Sequence, residues 1–173
     1  EQLLHLKPDV YFAASYNQQD EQAKRLQQSG VNLVFNNEWT EQSLLARAEW
    51  IKFVAAFYDK EAIADTIFTR IEWNYQAAEA IAQSVEQKPT VMAGGNFKGT
   101  WYMPSGTSYM GRLFADAGAD YFYKNEASTS ASLALNFETV LNNFHNADVW
   151  LNAPTATLNA LIQMDSRHNL FRS

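Results

Sequence analysis

Apolar residues follow two alternating rhythms along the chain. Short, nearly continuous apolar runs occur at "VYFAA" (10–14), "VNLVF" (31–35), "TVMAG" (90–94) and "ADVWLNA" (147–153). Their length and their β-branched and aromatic content predict buried strands, and "DYFY" (120–123) predicts a shorter one. Between these runs the apolar positions return every three or four residues, the spacing of one helix face. "EQLLHL" reads as the end of a short helix stopped by Lys7-Pro8-Asp9. Residues 20–29 read as a helix ended by Gly30, and a second helix begins near Thr40 or Ser43, with Leu44, Ala48, Ile51, Ala55 and Tyr58 on one side. Further helices are expected over 107–117, closed by Gly118, from the cap Asn136 to about residue 145, and from about 155 to 163 after Pro154.

The longest periodic segment is 60–87, with Ile63, Ile67, Ile71, Tyr75, Ala78, Ala82 and Val85 as its apolar stripe and Pro89 as its stop. Roughly 27 residues at about 1.5 Å each give a rod of about 40 Å, the span of a whole domain. Strands alternate with helices on both sides of it, which implies parallel sheets and right-handed crossovers. The expected class is α/β, with two units joined by one long helix. Residues 1–59 form part of an N-terminal lobe, 60–88 the connecting helix and 89–173 part of a C-terminal lobe.

The stretch "GNFKGTWYMPSGTSYMGRLFADAG" (95–118) places large aromatics among turn residues and reads as a loop up to its helix. Two other loops that follow strands also carry an aromatic: Ser15-Tyr16-Asn17 after the first strand, and Glu38, Trp39 and Glu41 after the second. In open α/β sheets, ligands collect at the carboxyl ends of strands. The rings either plug the core of their own unit or line a cleft, and three such loops together favour the cleft. Tyr16, Glu38, Trp39, Trp101 and Tyr102 are therefore the candidate ligand contacts, with the flat rings supplying apolar area and the polar neighbours orienting the ligand. Met103 and Tyr109 would draw part of the third loop towards the core. Arg47 is placed at the cleft edge, and its neighbours Glu49 and Lys52 read as solvated charges.

Composition narrows the chemistry. Lys and Arg total 13 against 19 Asp and Glu, a formal charge of −6, which argues against a nucleic-acid groove. There is no Cys, so thiolate metal sites, disulfides and thiol catalysis are excluded. Hydrophobic residues make up 47% and aromatics 14%, a globular composition rich enough in rings to line a cleft. No run of 18 apolar residues is present. The three histidines, His5, His145 and His168, are far apart, and no H-E-x-x-H, G-x-S-x-G or phosphate-binding glycine loop occurs. His5 and His145 read best as polar helix ends. No cofactor or metal is implied.

A faint internal echo accompanies this pattern. "EQLLHLKPDVYF" begins at Glu1 and "ETVLNNFHNADVWL" at Glu138, each running from Glu through a short apolar helix end to Asp-Val and an aromatic. With "LxxLKPDVxFAA", "GVNLVF" and "WYMPSGTSYMGRLFADAGADYFY" in that order, the chain resembles the substrate-binding proteins of ABC importers for iron–siderophore complexes, haem and cobalamin. The resemblance runs across nearly all of the chain, and its weight comes from the ordered set rather than from any single motif. It implies two Rossmann-like lobes with parallel sheets, stiffened by one long helix, and a ligand held between them without bond making. It also implies one docking glutamate per lobe for the membrane permease, which by motif are Glu1 and Glu138. The family's opening and closing segments have no counterpart here, so an internal fragment of a chain of roughly 300 residues or more is expected. The implied role is that of an extracytoplasmic component, periplasmic or otherwise, with a lipid anchor on the full-length protein as one arrangement. It would be a monomer that captures an iron chelate and delivers it to the permease. Cobalamin or haem is the second cargo. A chelatase-like metal enzyme on a related two-lobed fold is the rival, and it would require His145 or His168 to face Glu38 across the cleft. A structural domain binding only proteins is the third reading.

Overall fold

The computed structural model describes residues 2–14, 21–128 and 131–171, apart from the side chains of Gln2 and Leu4. In chain order the helices are α1 (Gln2–Leu6), α2 (Glu21–Gln28), α3 (Leu44–Ala55), α4 (Glu61–Ser84), α5 (Tyr109–Asp116), α6 (Phe137–Phe144) and α7 (Leu158–Met164). The strands are β1 (Tyr11–Ala13), β2 (Leu33–Phe35), β3 (Thr90–Ala93), β4 (Asn96–Phe97), β5 (Thr100–Pro104), β6 (Asp120–Tyr121), β7 (Ser132–Leu135) and β8 (Val149–Leu151). Short 3₁₀ turns occupy Glu38–Thr40, Ala56–Tyr58 and Ser166–Phe171.

Two parallel sheets lie on either side of α4 in the sequence. β1 and β2 pair in parallel, with Phe12 opposite Val34. β3 is the middle of a second parallel sheet, flanked by β6 and β8. The α/β class and the parallel pairing are thus those the sequence predicts. Local chemistry sets the helix limits. Ser43 accepts a hydrogen bond from the Ala46 amide at 3.0 Å, and Asn136 accepts one from the Thr139 amide at 2.7 Å. Each side chain satisfies an amide that the helix cannot, so α3 and α6 begin there. At the end of α5, Gly118 adopts φ 71°, and a Cβ there would approach the Ala82 carbonyl oxygen of α4 to 2.7 Å. Glycine therefore both ends the helix and permits close contact with the long one.

At about 1.5 Å per residue, the 24 residues of α4 span about 36 Å. Its buried face is rotated from the expected stripe. Ala64 and Phe68 are buried, whereas Ile63 (57% exposed), Ile71 and Val85 are open. The reason is its partners. α3 packs along its first half and α5 touches its second, where the Tyr75 hydroxyl donates to Asp116 at 2.6 Å. These neighbours cover an arc centred on 64, 68 and 75 rather than on 63, 67 and 71.

The main departure from the sequence reading lies in 95–106. This stretch is not a loop but a hairpin, β4–β5, extended by β7 into a three-stranded antiparallel sheet. Lys98 and Gly99 form its two-residue turn with φ of 51° and 90°, the mirror-image turn whose twist suits a hairpin. Strand alternation then sends Trp101 and Met103 inwards and Tyr102 outwards. Trp101 and Met103, opposite Leu135 and Leu133, join Val91, Met92, Phe114, Tyr121, Phe137, Val140 and Phe144 in one core.

Candidate ligand-binding site

The carboxyl end of β2 leads directly into the Glu38–Thr40 turn. Asn36 Oδ1 accepts from the Glu38 amide at 3.2 Å, which bends the chain. Arg47, on the first turns of α3, braces the bend from behind. Its Nε donates to the Glu38 carbonyl at 3.2 Å and its Nη2 to the Trp39 carbonyl at 2.9 Å. The indole of Trp50 donates to Glu41 Oε1 at 3.1 Å, which fixes the far side of the turn. Trp39 is left 38% exposed.

The facing wall is built by "PSGTSYMG", residues 104–111. β5 ends at Pro104, and the chain turns through Ser105-Gly106-Thr107 into α5. Ser108 caps that helix. Its Oγ accepts from the Gly111 amide at 3.1 Å and donates to the Ser105 carbonyl at 2.6 Å. A Cβ on Gly111 would collide with the Ser105 carbonyl, and one on Gly106 with the Lys124 carbonyl. The two glycines therefore allow the turn to fold tightly enough to bury Ser105, which is 1% exposed.

Between these walls lies a cavity of about 200 Å³, lined by Trp39, Glu41 and Gln42 from one side and by Ser105, Thr107, Ser108, Tyr109, Ser128 and Ala131 from the other. Two contacts cross beside it. The Arg47 guanidinium stands 4.3 Å over the Tyr109 ring, and Arg112 Nη2 donates to Gln42 Oε1 at 2.9 Å. A larger cavity of about 360 Å³ opens near Thr90, Asp120 and His145. It sits at the amino ends of β3 and β6, the end of an open α/β sheet at which ligands are not expected. The cavity at the Glu38–Thr40 turn is the better site despite its size, because it joins two separate parts of the chain.

The expected contacts are distributed unevenly. Trp39 lines the cavity, and Glu38 lies next to it in the braced turn. Tyr16 falls outside the described residues, as does Glu1. Tyr102 is 53% exposed but is not part of the cavity lining. Trp101 requires correction. It is fully buried, its indole donates to the Ala93 carbonyl at 2.8 Å, and Phe137, Trp150, His168 and Phe171 surround it. The inward pleat of β5 makes it a core residue and not a ligand platform. The cavity residues that the sequence reading did not single out are polar: Gln42, Ser105, Thr107 and Ser108. Their signal was a tight Ser-Gly turn directly before a helix cap, read only as a helix start.

His168 is buried in that aromatic cluster. Its Nδ1 lies 2.8 Å from the Leu161 carbonyl, which places the ring proton on this nitrogen. His145 lines the cavity at the other end of the strands. Neither faces Glu38, which is the arrangement a metal enzyme would require. Among the described residues, no group of three or more His, Asp or Glu is placed to hold a metal ion. Glu138 stands in the first turn of α6 with its side chain 75% exposed, 3.8 Å from Arg167.

A mixed α/β chain with a parallel sheet before α4 and another after it, and a cavity walled from both segments, defines the architectural class, and the sequence supplies the family. The periplasmic binding protein pattern matches residues 1–164, and the chain belongs to that family. An uncharacterized lipoprotein of Methanocaldococcus jannaschii is 28% identical over 91% of this chain and 37% of its own length. Among solved structures, a possible iron-binding, periplasmic solute-binding protein from Staphylococcus epidermidis superposes with a TM-score of 0.72 at 16% identity, covering 98% of this chain and 64% of that one. The periplasmic vitamin B12 binding protein BtuF of Vibrio cholerae gives 0.68 at 15% identity, covering 96% and 62%. The periplasmic heme-binding protein RhuT from Roseiflexus sp. RS-1 gives 0.71 at 18%, covering 94% and 62%. The chain thus spans little more than a third of that curated relative and under two thirds of these structures.

Proposed function

We propose that this chain is part of the solute-binding component of an ABC importer, working outside the cytoplasm. It captures an iron chelate of siderophore type between residues 1–59 and 89–173, with 60–88 as the tie between these two lobes. The observation that carries this reading is the cavity whose walls come from the Glu38–Thr40 turn on one side and the start of α5 on the other. A site whose walls come from two separate parts of the chain suits capture and release. Trp39 and Glu38 are the proposed contacts on the first wall. Tyr102, exposed on β5, is the proposed contact for cargo extending beyond the cavity, and Tyr16 is a further proposed contact on the ground of its sequence alone. The vitamin B12 and heme proteins of the same fold keep cobalamin and haem as alternative cargoes. The lipoprotein relative is consistent with a lipid anchor.

Titration of the full-length protein with ferric chelates, haem and cobalamin, followed by tryptophan fluorescence, tests the reading. Saturable quenching by a ferric chelate, lost in Trp39→Phe, is expected. Binding of haem or cobalamin alone would change the cargo, and silence towards all three would overturn the function. Delivery to the permease is assigned to the exposed Glu138, with Glu1 as its counterpart. Glu138→Lys should slow uptake in cells and leave chelate affinity unchanged; an altered affinity would remove Glu138 from that role.

A further inference from the structure

We propose that the cavity grips its cargo through an ionised oxygen group, a carboxylate of the chelate, received by Ser105 Oγ at the start of α5. This rests on the solute-binding reading and adds the chemical class of the ligand: a ferric chelate with free carboxylates, in preference to a neutral one.

Ser105 is the first observation. It lines the cavity, it is 1% exposed, and its Oγ has no hydrogen-bond partner among the described residues. A buried hydroxyl left without a partner is costly, so such a group is satisfied when a ligand supplies one. Its neighbour Ser108 is already committed at both ends, to the Gly111 amide and the Ser105 carbonyl. Ser105 is thus the hydroxyl with capacity to spare, and Ser108 and Gly111 hold its backbone in place.

The direction of that hydrogen bond follows from the surroundings. The eight-residue helix α5 begins at the cavity, and helix amino ends carry partial positive charge that favours anions. Two guanidinium groups stand beside it, Arg47 over the lining ring of Tyr109 and Arg112 on the lining amide of Gln42. The acidic lining residue, Glu41, accepts the Trp50 indole N–H, which draws it towards α3. The guanidinium groups and the helix end counter Glu41 and the adjacent Glu38, and the Ser105 hydroxyl can donate to a negative oxygen brought between them. At about 200 Å³ the cavity admits an acid group and its neighbouring atoms, not a whole macrocycle.

The test is calorimetry on the full-length protein with two named ferric chelates, ferric citrate with its free carboxylates and ferrichrome, a neutral hydroxamate chelate. Wild type is compared with Ser105→Ala and, in case that buried change disturbs the fold, with Thr107→Asp, an exposed position where a carboxylate would occupy the cavity. Ferric citrate should bind, and each variant should weaken it by about tenfold or more. Binding of ferrichrome without ferric citrate overturns this inference and leaves the solute-binding reading intact. Ferric citrate affinity unchanged in both variants overturns it as well. Failure of both chelates removes the iron-chelate reading together with the inference.

Discussion

Among the described residues, 89–171 gather ten buried side chains into one hydrophobic cluster, including Trp101, Tyr121, Phe137 and Phe144. Among the described residues of 2–59, Ala23, Val31 and Ala55 are the buried ones, each at 8–9% exposure. The N-terminal half has its aromatics too, but Phe12, Trp50, Phe53 and Phe57 form an edge-to-face cluster that stays partly open, with Phe53 and Phe57 37% and 41% exposed. The same residue types therefore do different work in the two halves. In one they are the interior, enclosed by three-stranded sheets. In the other they lie against a two-stranded sheet and are partly open in this part of the protein, which spans under two thirds of the solved structures it resembles. The two walls of the cavity inherit this difference. The Ser105 wall is anchored in a dense core through Met103 and Trp101 on the same strand, whereas the Trp39 wall depends on polar bracing by Arg47.

The largest expected effect breaks the comparison at its strongest point. Trp101→Ala removes a fully buried indole and leaves the Ala93 carbonyl without its donor, and it should destabilise the full-length protein by about 3–5 kcal/mol in urea unfolding. Phe53→Ala, in the open cluster, should cost about 1 kcal/mol. Equal losses at the two sites would mean that the N-terminal cluster is covered in the full-length protein and that the two halves are equally dense. The same pair separates core from site: a Trp101 variant that stays folded should keep its ligand affinity, contrary to what a ligand platform requires.

Arg47 is where the less dense half is held in shape, and its removal comes next. One guanidinium holds the Glu38 and Trp39 carbonyls and stacks on Tyr109 across the cavity. Arg47→Gln should lower stability by about 2 kcal/mol and weaken chelate binding with it. Arg47→Lys should not restore either, because an ammonium lacks the planar fork that reaches two carbonyls while lying flat on a ring. Full recovery by Lys in unfolding and calorimetry would show that charge alone matters at this position.

The comparison also explains what could be read from the chain before its structure. The strands at 11–13, 33–35, 90–93 and 149–151 and the long helix were legible because their signals are local: apolar runs between turns, a sustained helical period, Pro89 as a stop. The cap Asn136 was legible for the same reason, and the starts of α3 and α5 were legible to within a few residues of their caps Ser43 and Ser108. Burial was less legible where it depends on distant partners. Trp101 was misassigned because a glycine-rich context suggests a loop, yet Asn96-Phe97-Lys98-Gly99-Thr100-Trp101 is a hairpin whose partner β7 lies where no strand was expected. The stripe of α4 was displaced because α3 and α5, not the helix itself, decide which arc is covered. At the cavity, the position of Trp39 and the adjacent Glu38 after a strand was legible. Ser105 was not, because a serine in a turn gives no sign that it will be buried without a partner.

The smallest expected effect concerns how the dense half is closed. The Ser166–Phe171 turn brings His168 and Phe171 onto Trp101 and Trp150, and Arg167 secures it from outside. Arg167 holds Asp165 through Nε–Oδ1 at 3.1 Å and Nη2–Oδ2 at 2.7 Å, and lies 4.4 Å over the Phe137 ring. Hydrogen bonding from Arg167 holds the Asp165 carboxyl down at about 2, from an ordinary 3.8. A carboxyl depressed in the folded state adds stability that is present above its unfolded value and lost as pH falls through the folded one. The pair should therefore contribute fully above about pH 5 and lose its share progressively as pH falls to and below about 2. Because the pair is partly solvated, with Arg167 46% and Asp165 24% exposed, the contribution at neutral pH should be about 0.5 kcal/mol. Asp165→Asn should thus be slightly less stable than wild type at pH 6, with the gap closing as unfolding is measured at pH 4, 3 and 2. A gap that stays constant with pH would assign the closure of this half to the buried rings alone and leave the ion pair without a share in it.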